Sequence, residues 1–181
     1  GAGGTTTREG GEYRLNGGTL TVAGDIIEGA VGDQNNNIDA AQFKIQGGTL
    51  IVNDGNTIHV QRFGLGDDGG TAAGSFTKTD GILRSSGTTI VGNNFVGELT
   101  LNNVDGGAAN MIVSNTGNSS GSFFTLDNGT TYEVTQTGTN RFDVGNQNGS
   151  NGTVNILGGS ELTINGRIDL GQAGNAQGHI N

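Results

Sequence analysis

The sequence predicts an all-β fold, a right-handed parallel β-helix (solenoid) of about six three-strand coils. Three observations predict it. The stretch Gly152–Gln172 holds three short alternating runs, Val154/Ile156, Leu162/Ile164 and Ile168/Leu170, each with one polar residue between its apolar members. That period of two marks a strand with one buried face. Turns separate the runs at Gly158-Gly159, Asn165-Gly166 and Gly171, so three strands and three corners form one triangular coil. The same elements then recur along the chain, which is how a stacked-repeat architecture shows itself in sequence.

Composition is consistent with such a body. The chain has 181 residues, of which 37 are glycine, and no proline, cysteine or tryptophan. Glycine-rich chains of low hydrophobicity are often disordered, but here the glycines punctuate apolar alternation at recurring intervals. Lack of proline suits stacked ladders in which every central strand uses its N–H groups. The net charge of −9 and pI near 4.4 argue against a nucleic-acid partner, because phosphate binding relies on clustered Lys and Arg. No apolar run approaches the ~20 residues of a membrane helix, so no membrane insertion by a helix is expected. Without cysteine there are no disulfides and no thiolate chemistry.

Three ladders define the predicted coils. The first is an apolar residue, then Gly, then a carboxamide or carboxylate: Val31-Gly32-Asp33, Leu65-Gly66-Asp67, Val91-Gly92-Asn93, Val144-Gly145-Asn146 and Leu170-Gly171-Gln172, with Val113-Ser114-Asn115 as a degenerate copy. Their unequal spacing implies constant coils with loops of different length. The second ladder opens each coil with Gly and an alternation: Gly11 with Tyr13 and Leu15, Gly74 with Phe76, Gly97 with Leu99, Phe124 after Gly121, and Gly152 with Val154, while Phe43-Lys44-Ile45 is a copy without the glycine. The third turns a corner at Gly17-Gly18, Gly47-Gly48, Asp80-Gly81, Asn128-Gly129 and Gly158-Gly159. These residues tolerate positive φ, so the column is expected to hold a left-handed corner residue.

On this reading Tyr13, Phe43, Phe76, Leu99, Phe124 and Val154 stack as one inward column, and Leu20, Leu50, Tyr132 and Leu162 as another. Each such burial contributes about 1.5–3 kcal/mol. Coils about 4.8 Å apart would span on the order of 30 Å. Loops at Asp33–Ala40, Asp67–Ala73, Asn115–Ser122 and Asn146–Asn151 all follow the first ladder and should project from one corner. A β-sandwich of antiparallel hairpins is the competing fold. Recurrence at coil length rather than hairpin length argues against it.

The pattern in Gly152–Gln172, Tyr13–Val22 and Phe43–Val52 resembles the glycine-rich repeats of secreted bacterial β-helix proteins, namely autotransporter-type passengers and PEP-CTERM-type surface proteins. The resemblance covers nearly the whole chain at the level of fold. It implies a bacterial protein that is extracellular or on the cell surface, and it assigns no catalytic residues.

Many parallel β-helices are polysaccharide lyases or hydrolases, which use paired carboxylates or a carboxylate-bound Ca²⁺ with a basic residue. The nearest cluster is Asp67 and Asp68 with Arg62, Lys78 and Arg84. Acidic loop residues are more often solvated, so no enzyme is expected. Ca²⁺ at the loop corner would use Asp33, Asp67, Asp68 and Asp105, although the G-G-x-G-x-D calcium nonapeptide is not present. His59 and His179 stand far apart in sequence. A threonine ladder (Thr19, Thr49, Thr130) invites an ice-binding reading, but Ile82 interrupts it. Sequons occur at Asn118, Asn128, Asn148 and Asn151, and Asn118, Asn148 and Asn151 are glycosylation candidates.

The ends carry a further clue. The predicted division is a tail or strap at 1–10 and one β-helix domain at 11–181 that finishes in an incomplete coil, since Gly178-His179-Ile180-Asn181 matches Gly152-Thr153-Val154-Asn155. No capping segment is recognisable beside the first or last coil. Two readings follow: a piece of a longer array, or an open end completed by another copy, which gives a head-to-tail filament. The expected function is therefore an exported structural protein that self-assembles by coil stacking, with Gly11, Tyr13, Leu15, Leu170, Gly178 and Ile180 at the interface. The alternatives are an adhesin that binds glycans through its loop corner and a carbohydrate-active enzyme.

Overall fold

A computed structural model of the protein describes residues 12–27, 42–47, 49–67, 72–135 and 141–181. Among these the chain forms seventeen strands, one turn of 3-10 helix at Gly117–Ser119, and no α-helix. Every strand pairing is parallel. The result is a β-solenoid of about six turns with three faces.

Face one stacks β1 (Glu12–Leu15), β4 (Gln42–Ile45), the second halves of β6 (Thr57–Leu65), β8 (Ile82–Val91) and β10 (Asp105–Val113), then β13 (Arg141–Val144) and β16 (Arg167–Leu170). Face two carries β2 (Thr19–Val22) on β5 (Thr49–Val52). A separate five-stranded ladder on that face joins β7 (Gly74–Thr79), β9 (Gly97–Asn102), β11 (Ser122–Asp127), β14 (Asn151–Ile156) and β17 (Gln177–Ile180). Face three stacks β3 (Ile26–Ile27), the first halves of β6, β8 and β10, then β12 (Thr131–Val134) and β15 (Glu161–Ile164). The three runs of Gly152–Gln172 fall in β14, β15 and β16, one on each face, as the alternation predicts.

The three corners differ in chemistry. Between faces two and three the chain turns on a left-handed residue: Asp80, Asn103, Asn128 and Gly158 have φ of 54°, 54°, 55° and 57°. Aspartate, asparagine and glycine bear this conformation at least cost, and Asn103 Nδ2 also donates to Asp80 Oδ1 at 2.6 Å. Between faces three and one, β6, β8 and β10 bend without a turn, through register shifts at Val60/Arg62 and Ala108/Asn110. Such bulges re-aim a strand while keeping its ladder.

Between faces one and two, close backbone approach selects glycine. A Cβ on Gly97 would lie 2.3 Å from the Gly92 nitrogen and 2.8 Å from the Leu65 oxygen. Gly74, Gly152 and Gly178 meet Ile45, Val113 and Val144 carbonyls in the same way. In the degenerate coil Ser114 takes the left-handed position at φ 61°. Ser122 replaces the opening glycine there, accepting from Gly97 N–H at 3.0 Å and donating to the Ser119 carbonyl at 2.6 Å.

Two predicted columns are corrected. Tyr13 and Phe43 do not stack on Phe76. They continue into Phe63, Thr89, Met111, Phe142 and Ile168 on face one, with ring centroids 5.0 Å apart for Tyr13–Phe43 and 6.3 Å for Phe43–Phe63. Leu15 and Ile45 accordingly stand in the column of Leu65, Val91, Val113, Val144 and Leu170. Likewise Leu20 pairs with Leu50 on face two, whereas Tyr132 pairs with Leu162 on face three. The cause is that Gly17 and Gly47 belong to the face-one corner, together with Gly66, Gly92, Gly145 and Gly171, and not to the corner of Asp80 and Asn128. Thr130 therefore lies at a different corner from Thr19 and Thr49, and these three do not form one ladder. Val31-Gly32-Asp33 lies outside the described residues.

The interior is aliphatic and aromatic, including Ile45, Phe63, Leu65, Leu99, Met111, Phe124 and Phe142, all fully buried. Tyr132 is buried as well and donates its hydroxyl to Thr89 Oγ1 at 3.1 Å. Desolvation drives its phenol well above the usual pKa.

Candidate functional site

The predicted loop corner is a polar spine. Asn93 Nδ2 donates to Asp67 Oδ1 at 3.0 Å, Asn115 Nδ2 to Asn93 Oδ1, and Asn146 Nδ2 to Asn115 Oδ1 at 2.7 Å. The third residue of the first ladder thus forms a file of carboxamides, one per coil, that ends on a buried carboxylate. Arg62 closes on Asp67 with Nε at 2.8 Å from Oδ2 and NH2 at 2.7 Å from Oδ1. The fork fits over Gly64, where a Cβ would strike Asp67 Oδ2 at 2.5 Å. Two-pronged pairs of this kind are short and strongly directional. The later loops stack beyond the spine: Gln147 N–H donates to the Asn115 carbonyl at 2.9 Å, and Asn175 N–H to Asn148 Oδ1 at 3.0 Å.

The carbohydrate-active cluster of the sequence reading is dispersed by this geometry. Asp67 is fully buried in the spine, and Lys78 points inward from β7, so neither lines a surface groove. Arg84 is on the outer side of face three, bonded to Asp105 Oδ1 at 2.7 Å. Asp33 and Asp68 lie outside the described residues. Among the described residues no group of three or more His, Asp or Glu is placed to hold a metal ion.

Lys78 is the least expected residue of the interior. It aligns with Leu101 and Leu126 in an inward column, is 1 % exposed, and its Nζ has no hydrogen-bond partner among the described residues. Desolvation lowers its pKa, opposed by the charges of Asp54, Asp25 and Asp80. The alternation of β7 turns Lys78 inward with Gly74 and Phe76, whereas the sequence grouped it with the acidic cluster of Asp67 and Asp68.

On face three a shallow depression of about 270 Å³ opens between Arg84, Asp105, Glu133 and Glu161, floored by Gly106 and Tyr132. It exists because Gly107 has no side chain between Arg84 and Glu133 in their outward column. Of the sequons, Asn118 is exposed in the 3-10 turn. Asn148 is engaged by the Asn175 amide, and Asn151 is partly buried in β14 opposite Gln177.

The end rungs are the remaining candidates. β16 pairs with β13, β17 with β14, and β15 with β12. Among the described residues none of the three has a strand on its other side. Their inward side chains lie open, with Ile168 45 %, Leu170 50 % and Ile180 37 % exposed. The residues beneath them in the same columns, Phe142, Val144 and Val154, are fully buried. At the other end Tyr13 is 44 % exposed, Leu15 is buried, and Gly11 lies outside the described residues. Ile168, exposed in the same strand as Leu170, is not among the residues that the sequence placed at an interface. Arg167 and Asp169 flank it, with Arg167 Nε 2.7 Å from Asp169 Oδ1.

Fold and site define a parallel β-solenoid whose last described strands, β15 to β17, carry exposed apolar side chains. Comparison with protein-family models, with curated proteins and with solved structures finds no match.

Proposed function

We propose that this chain is a structural module of an exported, bacterial extracellular or cell-surface assembly, in which solenoids join head to tail by stacking coil on coil. The observation that carries the proposal is the open rung formed by β15, β16 and β17. It presents unpaired strand edges beside exposed Ile168, Leu170 and Ile180. Exposed edges of this kind are templates for further strands, and solenoids ordinarily cover them. A head-to-tail contact uses two different surfaces and so propagates into a filament or a surface layer. Residues 1–10, the expected tail or strap, lie outside the described residues. No cofactor and no catalytic residue is assigned to this function.

Sedimentation velocity across a concentration series, with negative-stain imaging, tests it. Rods that lengthen with concentration are expected. A chain that stays monomeric at high concentration, without end-to-end contacts, overturns it.

A second reading rests on the depression bounded by Arg84, Glu133 and Glu161 on face three. Its open mouth and polar lining suit a glycan end group, as an adhesin would require. Glycan-array binding lost in Arg84→Ala and Glu133→Ala would support this second reading.

A further inference from the structure

We propose that the depression on face three binds a single amino-sugar ring, with a free ammonium against Glu133 and Glu161 and a hydroxyl oxygen accepting from Arg84. This deepens the glycan reading of that depression and rests on it.

The two walls of the depression carry opposite chemistry. On one wall Arg84 Nη2 donates to Asp105 Oδ1 at 2.7 Å, which fixes the guanidinium. Its Nη1 lies over Gly107, where a Cβ would come within 3.4 Å of it. Gly107 sits in a regular strand without positive φ, so no turn demands glycine there. Its small size is what lets Arg84 lie across the rung and keep the outward column open between Arg84 and Glu133. The facing wall offers two carboxylates whose partners among the described residues are neutral. Asn165 Nδ2 donates to Glu133 Oε1 at 2.7 Å, and Thr163 Oγ1 to Glu161 Oε1 at 3.2 Å. Each glutamate keeps its second oxygen for a ligand. The enclosed volume of about 270 Å³ falls just below the ~300–1,000 Å³ of drug-sized pockets. It has room for one ring and not for an oligosaccharide.

Charge then selects the ring. Asp105, Glu133 and Glu161 line the depression with one cation, Arg84, and Arg84 is already shared with Asp105. The unbalanced negative charge therefore rests on Glu133 and Glu161. A charge-assisted hydrogen bond is roughly twice as strong as a neutral one, so an ammonium is favoured over a hydroxyl at this wall. A bare metal ion is a poor fit, because among the described residues no group is placed to hold one and the guanidinium opposes it. An N-acetylated sugar presents a neutral amide and a methyl group, and loses the charge-assisted contact. A ring that carries both an ammonium and hydroxyls satisfies the two walls together. The net charge of −9 attracts any amine over the whole surface. Discrimination between sugars comes from the facing walls.

The test follows amide chemical shifts of the whole chain by NMR during titration with the methyl glycosides of glucosamine, N-acetylglucosamine and glucose. The glucosaminide should shift the amides of Gly106 and Gly107 and bind about tenfold more tightly than either analogue. That advantage should shrink with added NaCl. Glu133→Gln should abolish it, whereas Glu98→Gln on face two, which changes net charge equally, should not. Unchanged thermal melts of both variants verify folding. Equal shifts from all three glycosides, or an advantage that survives Glu133→Gln, would overturn the ammonium contact and leave the glycan reading intact. Cadaverine, a diamine without hydroxyls, binding as tightly as the glucosaminide would overturn the sugar. Absence of shifts at Gly106 and Gly107 with every glycoside would overturn this inference and the glycan reading together.

Discussion

Coils one and two are built differently from the coils above them, although their sequence motifs look alike. From β7 to β17, face two is one continuous five-stranded ladder, and glycines such as Gly97 enter it with no room for a side chain. Below β7 the ladder stops: among the described residues β2 and β5 pair only with each other on that face. Their corner glycine Gly17 has ordinary clearance, its nearest contact being the Gly47 oxygen at 3.6 Å. Lys78 sits in the first strand above this break, in the column that higher up holds Leu101 and Leu126. The difference teaches that glycine in this chain is required where two backbones touch, and that an imperfect inward residue is tolerated where the ladder is already interrupted.

Four substitutions would break or sharpen that contrast. Gly97→Val should have the largest effect, because its neighbours at 2.3–2.8 Å are backbone atoms that cannot swing away; a loss of about 3 kcal/mol or more in chemical denaturation is expected. Asp67→Ala should cost about 3 kcal/mol, since it leaves Arg62 and Asn93 without their shared acceptor. It should also raise amide exchange along the asparagine file. Lys78→Met should stabilise the protein by about 1–3 kcal/mol, because it keeps the side chain's length and removes an unpartnered buried amine. Gly17→Ala should change stability by about 0.5 kcal/mol or less. A large loss there would show the two corners to be alike after all.

The lysine prediction carries a pH signature. The folded-state pKa of Lys78 lies below its ordinary value of 10.5, so the unfolded chain binds more protons wherever the two differ. Its destabilising contribution is full below the lowered pKa and fades as pH rises toward 10.5. The advantage of Lys78→Met over wild type should therefore shrink with rising pH, as read from paired denaturation curves. Tyr132 acts in the opposite sense. Its raised pKa makes a contribution that is present below pH 10 and lost above it, and it cancels when the two proteins are compared at the same pH.

Strand content, corners and the approximate number of coils were legible in the sequence because they depend on local chemistry: alternation for the strands, and Gly, Asn or Asp for positive φ. The asparagine file was visible as a repeated third position, though its function as a spine was not. Asp67 illustrates the limit. As an isolated acidic loop residue it suggested a metal, and only the bidentate Arg62 contact over Gly64 reveals it as the terminus of that spine. Lys78 illustrates the converse: its charge suggested the acidic cluster, whereas the alternation of β7 buries it. β17 was legible in its motif, since Gly178, His179 and Ile180 pair with Gly152, Thr153 and Val154 as the sequence match implies.

By itself, then, the sequence determined a parallel solenoid with glycine-marked corners, because those features follow from residues close together in the chain. Which strand stacks on which was decided by the tertiary structure alone. A G-x-apolar-x-apolar segment can lie on any of three similar faces, and loops of unequal length erase the count that would tell them apart. Tyr13 and Phe43 went to face one rather than to Phe76's column because parallel pairing is a long-range choice. It is settled by fitting the glycine corners, the aromatic stack and the buried Asp67 at once.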